Sequence, residues 1–320
     1  MSLGDFQVFN EFAYNSATEV IDQQVNLFNE ATRGAIVLAQ KGNVGDFFES
    51  AQYSLISGLV KNRNAYSTAA ATAVDLAQLK EVAVKVGMQT DPVRFTGTSF
   101  DWIQRPAEEA GVVFGTQWAQ GQLQYMLNTA LASANAALAG VGADVTYDGT
   151  AGAASLESLN LGAGKFGDRR SQLASWVMHS KSQTDIYGQS LANANRLFEF
   201  GTVQVMSDGH GRPLIVTDSD ALVFDNAGTD NYIQLGLVPG AIMLDDNGDT
   251  RIYEQTDILK QNVEQLIKAE SSFNIGLKGY TWDMANGGKS PDDAALALST
   301  NWDKTATSIK DTLGVRAITL

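Results

Sequence analysis

Four stretches of this 320-residue chain carry residue types that can do chemistry. Asp245, Asn247 and Asp249 have the one-three-five ligand spacing of a calcium loop, but such a loop closes on a glutamate seven residues later, where Thr256 stands. Asn247-Gly248 lies between two short apolar runs, Ala241–Leu244 and Arg251–Tyr253, and reads as a hairpin turn. Gly162-Ala163-Gly164-Lys165-Phe166-Gly167 resembles a phosphate loop but lacks the four-residue gap and the Ser or Thr after lysine. A flexible entry to a helix capped near Asp168 is the plainer reading. His179-Ser180 pairs a base with a hydroxyl, yet neighbouring helical residues point about 100° apart, so His179 reads as a partly buried structural residue. Asp218, Asp220 and Asp225 follow a predicted strand, where carboxylates can bind metal or exchange protons; in so acidic a chain they read as a solvated loop. The sequence therefore assigns no catalytic residue, no metal ligand and no cofactor.

Composition narrows the classes further. There is no cysteine, which removes disulfides, thiolate nucleophiles and zinc–thiolate sites. His179 and His210 are the only histidines, poor material for a metal site or a triad. The net charge of −14 lacks the basic footprint of a sequence-specific nucleic-acid binder. It is compatible with a container, because an acidic inner wall keeps packed nucleic acid from sticking. Charged residues are only 18% of the chain, although 44% is hydrophobic. That balance suits a subunit largely covered by copies of itself, since interface cores are depleted in charge. Met1-Ser2-Leu3-Gly4-Asp5 has neither the basic region nor the apolar core of a signal peptide. No run of eighteen apolar residues is long enough to span a membrane.

The elements that would position these residues read as α+β. Residues 6–32 keep a three-to-four spacing through Val20, Ile21, Gln24, Val25 and Phe28 and end at Gly34. Phe6, Phe9 and Phe12 at its start need a surface, either their own core or a neighbouring copy. Residues 35–38 are strand-like and are followed by turn chemistry and the aromatics Phe47 and Phe48. Residues 62–73 read as a polar loop, and 74–95 alternate with Val82, Val84, Val86 and Met88 on one side. Two extended arms joined by a polar tip make a long hairpin, barely stable alone, so something else must cover it. Residues 105–139 give the longest helix, opened by Pro106 with Glu108 and Glu109. Its length would be about 50 Å. Gly111, Gly115 and Gly121 each weaken it by about 1 kcal/mol relative to alanine, so packing must hold it or it bends. Helices are predicted at 168–180, 182–191 and 292–304, and strands at 203–206, 214–217, 241–244, 251–283 and 315–318.

Several strings in the second half then resemble one family. Lys165-Phe166-Gly167-Asp168-Arg169 leading into Leu173–Lys181 looks like its helix-to-strand passage. Gly211–Ser219, Tyr232 with Leu235–Ile242, and Thr300–Lys304 with Lys310–Val315 are similar again. Together they resemble the major capsid proteins of tailed bacteriophages, with the Hong Kong 97-like fold. The resemblance implies an N-terminal arm (1–33), an E-loop hairpin (34–100), a peripheral domain with a long spine helix (101–140 and 251–285) and an axial domain (141–250 and 286–320). It implies a non-enzymatic subunit forming pentamers and hexamers of an icosahedral head around double-stranded DNA, assembled in the host cytoplasm and located in the virion. Its partners would be copies of itself, with a separate scaffolding protein, a portal and decoration proteins as further candidates, and no membrane. Phe6, Phe9 and Phe12 of the arm and Phe47, Phe48, Tyr53 and Tyr66 of the hairpin are the expected inter-subunit contacts. No residue pair is assigned to a covalent cross-link. The alternatives are an encapsulin-like compartment shell, a small-molecule enzyme built on the loop at Asp218, and a surface-layer or filament protein.

Overall fold

The chain is described from a computed structural model, covering residues 3–43, 45–53, 60, 62, 64–68, 78–96, 107–188, 195–200, 203–207, 211–226, 228–259, 261 and 263–320. The expected helix opening at Pro106, the loop residues 69–73 and the helix end at 189–191 lie outside those residues. The described helices are α1 (Leu3–Ala31), α2 (Ala107–Val141), α3 (Leu156–Gly164), α4 (Ser180–Gly188) and α5 (Asp293–Leu296). Strands β1 (Ile36–Gln40), β2 (Phe47–Tyr53), β3 (Gln78–Gln89), β4 (Val93–Thr96), β12 (Ile242–Asp246), β13 (Arg251–Asp257) and β14 (Glu264–Leu277) form one sheet. A second sheet holds β5 (Thr146–Gly149), β6 (Ser175–Met178), β7 (Asn195–Phe200), β8 (Val203–Ser207), β9 (Pro213–Val216), β10 (Val223–Asp225), β11 (Asp230–Leu237) and β17 (Gly314–Thr319). β15 (Tyr280–Trp282) and β16 (Trp302–Lys304) pair separately.

β14 organises the first sheet. Along one edge β12 and then β13 pair with it in line, and along the other β3 and then β4. This corrects the hairpin expected at Asn247-Gly248. Asp246 pairs with Phe273 and Arg251 with Glu270, so Asn247–Thr250 sit opposite only Ser271 and Ser272. The segment is a bulge inside a continuing edge, and the antiparallel partner of β14 beyond it is β13, paired as far as Asp257 opposite Glu264. Gly248 takes φ +63° there, which explains why the dipeptide mimics a turn: both devices ask for the same residues. The bulge is stitched down by side chains. Asp249 accepts from the Ser272 backbone N–H and hydroxyl, and Asn247 exchanges amide hydrogen bonds with Asn274.

One face of this sheet buries Ile36, Leu38, Val82, Val84, Val86, Ile242, Leu244, Phe273 and Ile275 in the main core. That core includes Leu123, Leu127, Leu131 and Leu138, the face of α2 read from the sequence. α1 folds back along α2 instead of leaving the molecule. Ala13 and Ala17 are buried against it, and Ser16 shares a 3.2 Å hydroxyl contact with Thr116. A Cβ on Gly115 would fall 2.2 Å from the Ala13 carbonyl oxygen, so this glycine buys close helix approach at the cost of intrinsic helicity. Farther along, Asn29 pairs edge-on with β1: its Nδ2 donates to the Leu38 carbonyl and its Oδ1 accepts from the Leu38 N–H.

The second sheet overturns the helix expected at 168–180. Residues 167–172 form a 3₁₀ turn, and Ser175–Met178 are a strand between β11 and β9. All four are buried, so both faces need apolar side chains and no period-two signal appears. α3, which the sequence reading missed, is closed by a capping box between Ser155 and Ser158. The helix expected at 292–304 shrinks to α5, capped by Asp292, followed by a 3₁₀ turn and β16.

The hairpin β2–β3 leaves the sheet with Phe47 opposite Val84 and Tyr53 opposite Gln78. Its base is pinned by polar groups. Asn43 N–H donates to Asn247 Oδ1, Lys85 Nζ donates to the Asn43 carbonyl at 2.6 Å, and Lys289 pairs with Asp46 at 2.9 Å. Asp246, whose backbone carbonyl accepts from Lys41 N–H, lies beside them.

Gly115→Ala is expected to force α1 and α2 apart and lower unfolding free energy in urea by about 1–3 kcal/mol, despite alanine's better helix propensity. Burial pushes the Asp246 carboxyl above its ordinary range, against a weaker lowering by the Gly248 N–H. A raised folded-state value means stability is present below the unfolded value and lost as pH rises through the folded one. Asp246→Asn, which keeps an acceptor for Gly248, should therefore raise the urea midpoint at pH 7. The gain should vanish below about pH 4; an equal gain at both pH values would contradict the account.

Candidate assembly surface

The residues expected to touch neighbours fall in separate places. Phe6 and Phe9 lie on α1 and Tyr53 ends β2, but their side chains are outside the described residues. Phe12 on α1 is 43% exposed, as are Val112 and Val113 near the start of α2 at 40% and 52%. Farther along α1, Ala13, Ala17 and Phe28 are buried in their own chain. Phe47 is half-buried and packs against the core. Phe48 is half-buried with Lys41 Nζ 4.4 Å from its ring centroid. Tyr66 stands 95% exposed in a short turn closed by Asn64 Oδ1.

The sequence reading missed the most exposed apolar feature near β14. Ile258 and Leu259, just after β13, are 72% and 92% exposed, and Val263, just before β14, is 50% exposed. The available signal was an apolar pair at a turn, where polar residues are the rule. It was masked by reading 251–283 as strand throughout.

The sheet face away from α2 carries a shallow notch. Met243, Gly276, Ala83 and Phe48 lie in one row across β12, β14, β3 and β2, lining a cleft of about 120 Å³ with Lys41, Glu81 and Asp245. Burial raises the Glu81 carboxyl, less a contribution from the Gly279 backbone and Lys278. Burial likewise raises Asp245, less the charge of Lys41. A glycine and an alanine at the centre of the row leave a depression rather than a flat wall.

The candidate chemical residues are occupied structurally. His179 Nδ1 accepts from the Lys181 N–H, its Nε2 lies 3.5 Å from Asp218, and its ring packs on Tyr232. Both imidazole nitrogens are thus engaged away from Ser180. Asp220 opens a 3₁₀ turn capped by Ser219, and Asp225 accepts from the Gly228 N–H. Lys165 donates to the Ala143 carbonyl, and Asp168 pairs with Lys310. Among the described residues, no cluster of three or more His, Cys, Asp or Glu side chains could hold a metal.

Comparison with known proteins bears on the whole chain. No match was found among curated proteins. Among solved structures, the fold is similar to a chain of the cyanophage Pam1 capsid asymmetric unit, with TM-score 0.52, 10% identity and 88% of each chain covered. A chain from Mycobacterium phage Cain gives TM-score 0.53 and 10% identity, covering 90% of this chain and 89% of that one. The acid-stable capsid of Helicobacter pylori bacteriophage KHP30 gives TM-score 0.51 and 11% identity, covering 91% and 89%. At such identity these likenesses establish the fold, a mixed helix-and-sheet capsid architecture. The family described as Gp13-like, major capsid protein 13-like, matches residues 5–316, and the chain, a phage major capsid protein, belongs to it.

Proposed function

We propose that this chain self-assembles into pentamers and hexamers of an icosahedral head that encloses double-stranded DNA, without enzymatic activity. The surface carries this reading. Large apolar side chains stand exposed at three separate elements: Phe12 and Tyr14 on the arm, Val60 and Tyr66 between β2 and β3, and Ile258 and Leu259 after β13. An isolated protein has no reason to keep all three exposed. A subunit with neighbours on several sides does.

In this reading α1 is the arm, β2–β3 the root of the E-loop, the β14 sheet with α2 the peripheral domain, and the second sheet the axial domain. The net charge of −14 favours a wall that encloses DNA without gripping it. Assembly in the host cytoplasm, with scaffolding, portal and decoration proteins as separate partners, completes the proposal.

Purified protein viewed by negative-stain electron microscopy should show closed shells, and particles isolated from the host should contain DNA rather than a cargo protein; only small uniform oligomers at high concentration would refute the reading. Deleting residues 1–12 removes nothing of the Ala13–Gly115 seam, so that variant should stay soluble and folded by circular dichroism yet fail to close shells. Normal particles from the deletion would remove the arm from the assembly surface.

A further inference from the structure

α2 contains a glycine that its own chain does not need. Gly115 is explained by Ala13, whereas among the described residues a Cβ added to Gly121 would meet nothing within 4 Å. Gly121 is exposed in the middle of a 35-residue helix, where alanine would be the better helix former. It opens onto a groove of about 310 Å³ between α2 and the sheet, with Trp118, Met88 and Ala269 as apolar lining and Gln89, Thr90 and Gln117 contributing polar groups. No charged side chain lines it.

The same chain carries a convex feature of matching character. Ile258 and Leu259 project at the β13–β14 turn, 72% and 92% exposed. Two branched apolar side chains suit an uncharged groove, and the amides and hydroxyl along it can bond an incoming backbone. The turn cannot reach its own groove. Ala269 lies opposite Ile252 and Glu264 opposite Asp257, which sets the groove roughly 17 Å back along the strand before the turn begins. The occupant must come from another molecule.

We propose that the Gly121 groove receives the Ile258-Leu259 turn of a second copy of this chain, the glycine letting the incoming backbone approach the helix. The contact is heterologous, one patch against a different patch, so it propagates from copy to copy instead of ending in a dimer. It rests on the self-assembly reading above and names one of the contacts.

The absence of native cysteine makes the test clean. Gln117→Cys, at the groove, and Leu259→Cys are made as separate chains, mixed before assembly and oxidised. Disulfides require Cβ atoms about 3.5–4.5 Å apart, so a cross-linked dimer in mixed shells, at least tenfold above either variant alone, is the expected result. Gly121→Ala and Gly121→Leu supply a second readout. The alanine variant should raise the unfolding midpoint of unassembled subunits by about 2 °C, while the leucine variant raises the protein concentration needed for shells at least fivefold. Shells that form without the mixed cross-link overturn this inference alone, as does Gly121→Leu assembling at the wild-type concentration. Efficient cross-linking of Leu259→Cys to itself would overturn it in favour of turns meeting turns. If wild-type protein forms no shells, the self-assembly reading fails and this one with it.

Discussion

A buried strand has to satisfy every backbone N–H and C=O it carries, and β14 does so on both edges with two strands in line on each. Much of the first sheet follows from that requirement. The bulge at Asn247–Thr250 and the kink at Thr90–Pro92 let each flanking segment re-register without leaving the ladder; Thr90 spans its gap by donating its backbone N–H to Ala269 and accepting back through Oγ1. α2 packs on the dry face of this sheet, α1 packs on α2, and β2 pairs onward from β3. Apolar groups at the far ends of these elements are left with no core to enter.

Parts of this were legible in the residues. The three-to-four spacing of α1, the leucine stripe of α2 and the alternation of Val82, Val84 and Val86 appear in the structure as written, because each element has one wet face and one dry one. Legibility failed where that contrast disappears. Ser175–Met178 are dry on both faces, so a strand looked like the continuation of a helix. Asn247-Gly248 failed for another reason: φ > 0 serves a bulge as well as a hairpin, and only the pairing partner distinguishes them. The arm was ambiguous because small residues such as Ala13 and Ala17 do not announce whose helix they will pack against.

The assembly surface was the least legible part, and the cause is physical. A contact between copies uses the same apolar and aromatic side chains as a core, so composition does not separate the two. Phe47 and Phe48 read as docking residues, and each is half-buried at the hairpin root, Phe47 against the core and Phe48 beside Lys41. Ile258 and Leu259 looked like strand interior and are among the most exposed apolar residues described. Gly121 was visible as a cost to the helix, yet its meaning required knowing that nothing stands over it while Ala13 stands over Gly115. Only the three-dimensional surroundings turn an identical residue type into a packing device in one turn and an open notch two turns later.

The side chain of Asn29 has a consequence beyond holding α1 to the sheet. By occupying both the N–H and the C=O of Leu38, it fills the place on β1 where a foreign strand would begin to zip. Subunits of a shell accumulate to high local concentration before they associate, the condition under which open edges seed fibres. Plugging that edge with one amide leaves association to surfaces of defined shape and removes a route by which a growing particle becomes a tangle. Asn29 thus closes that edge to strand addition.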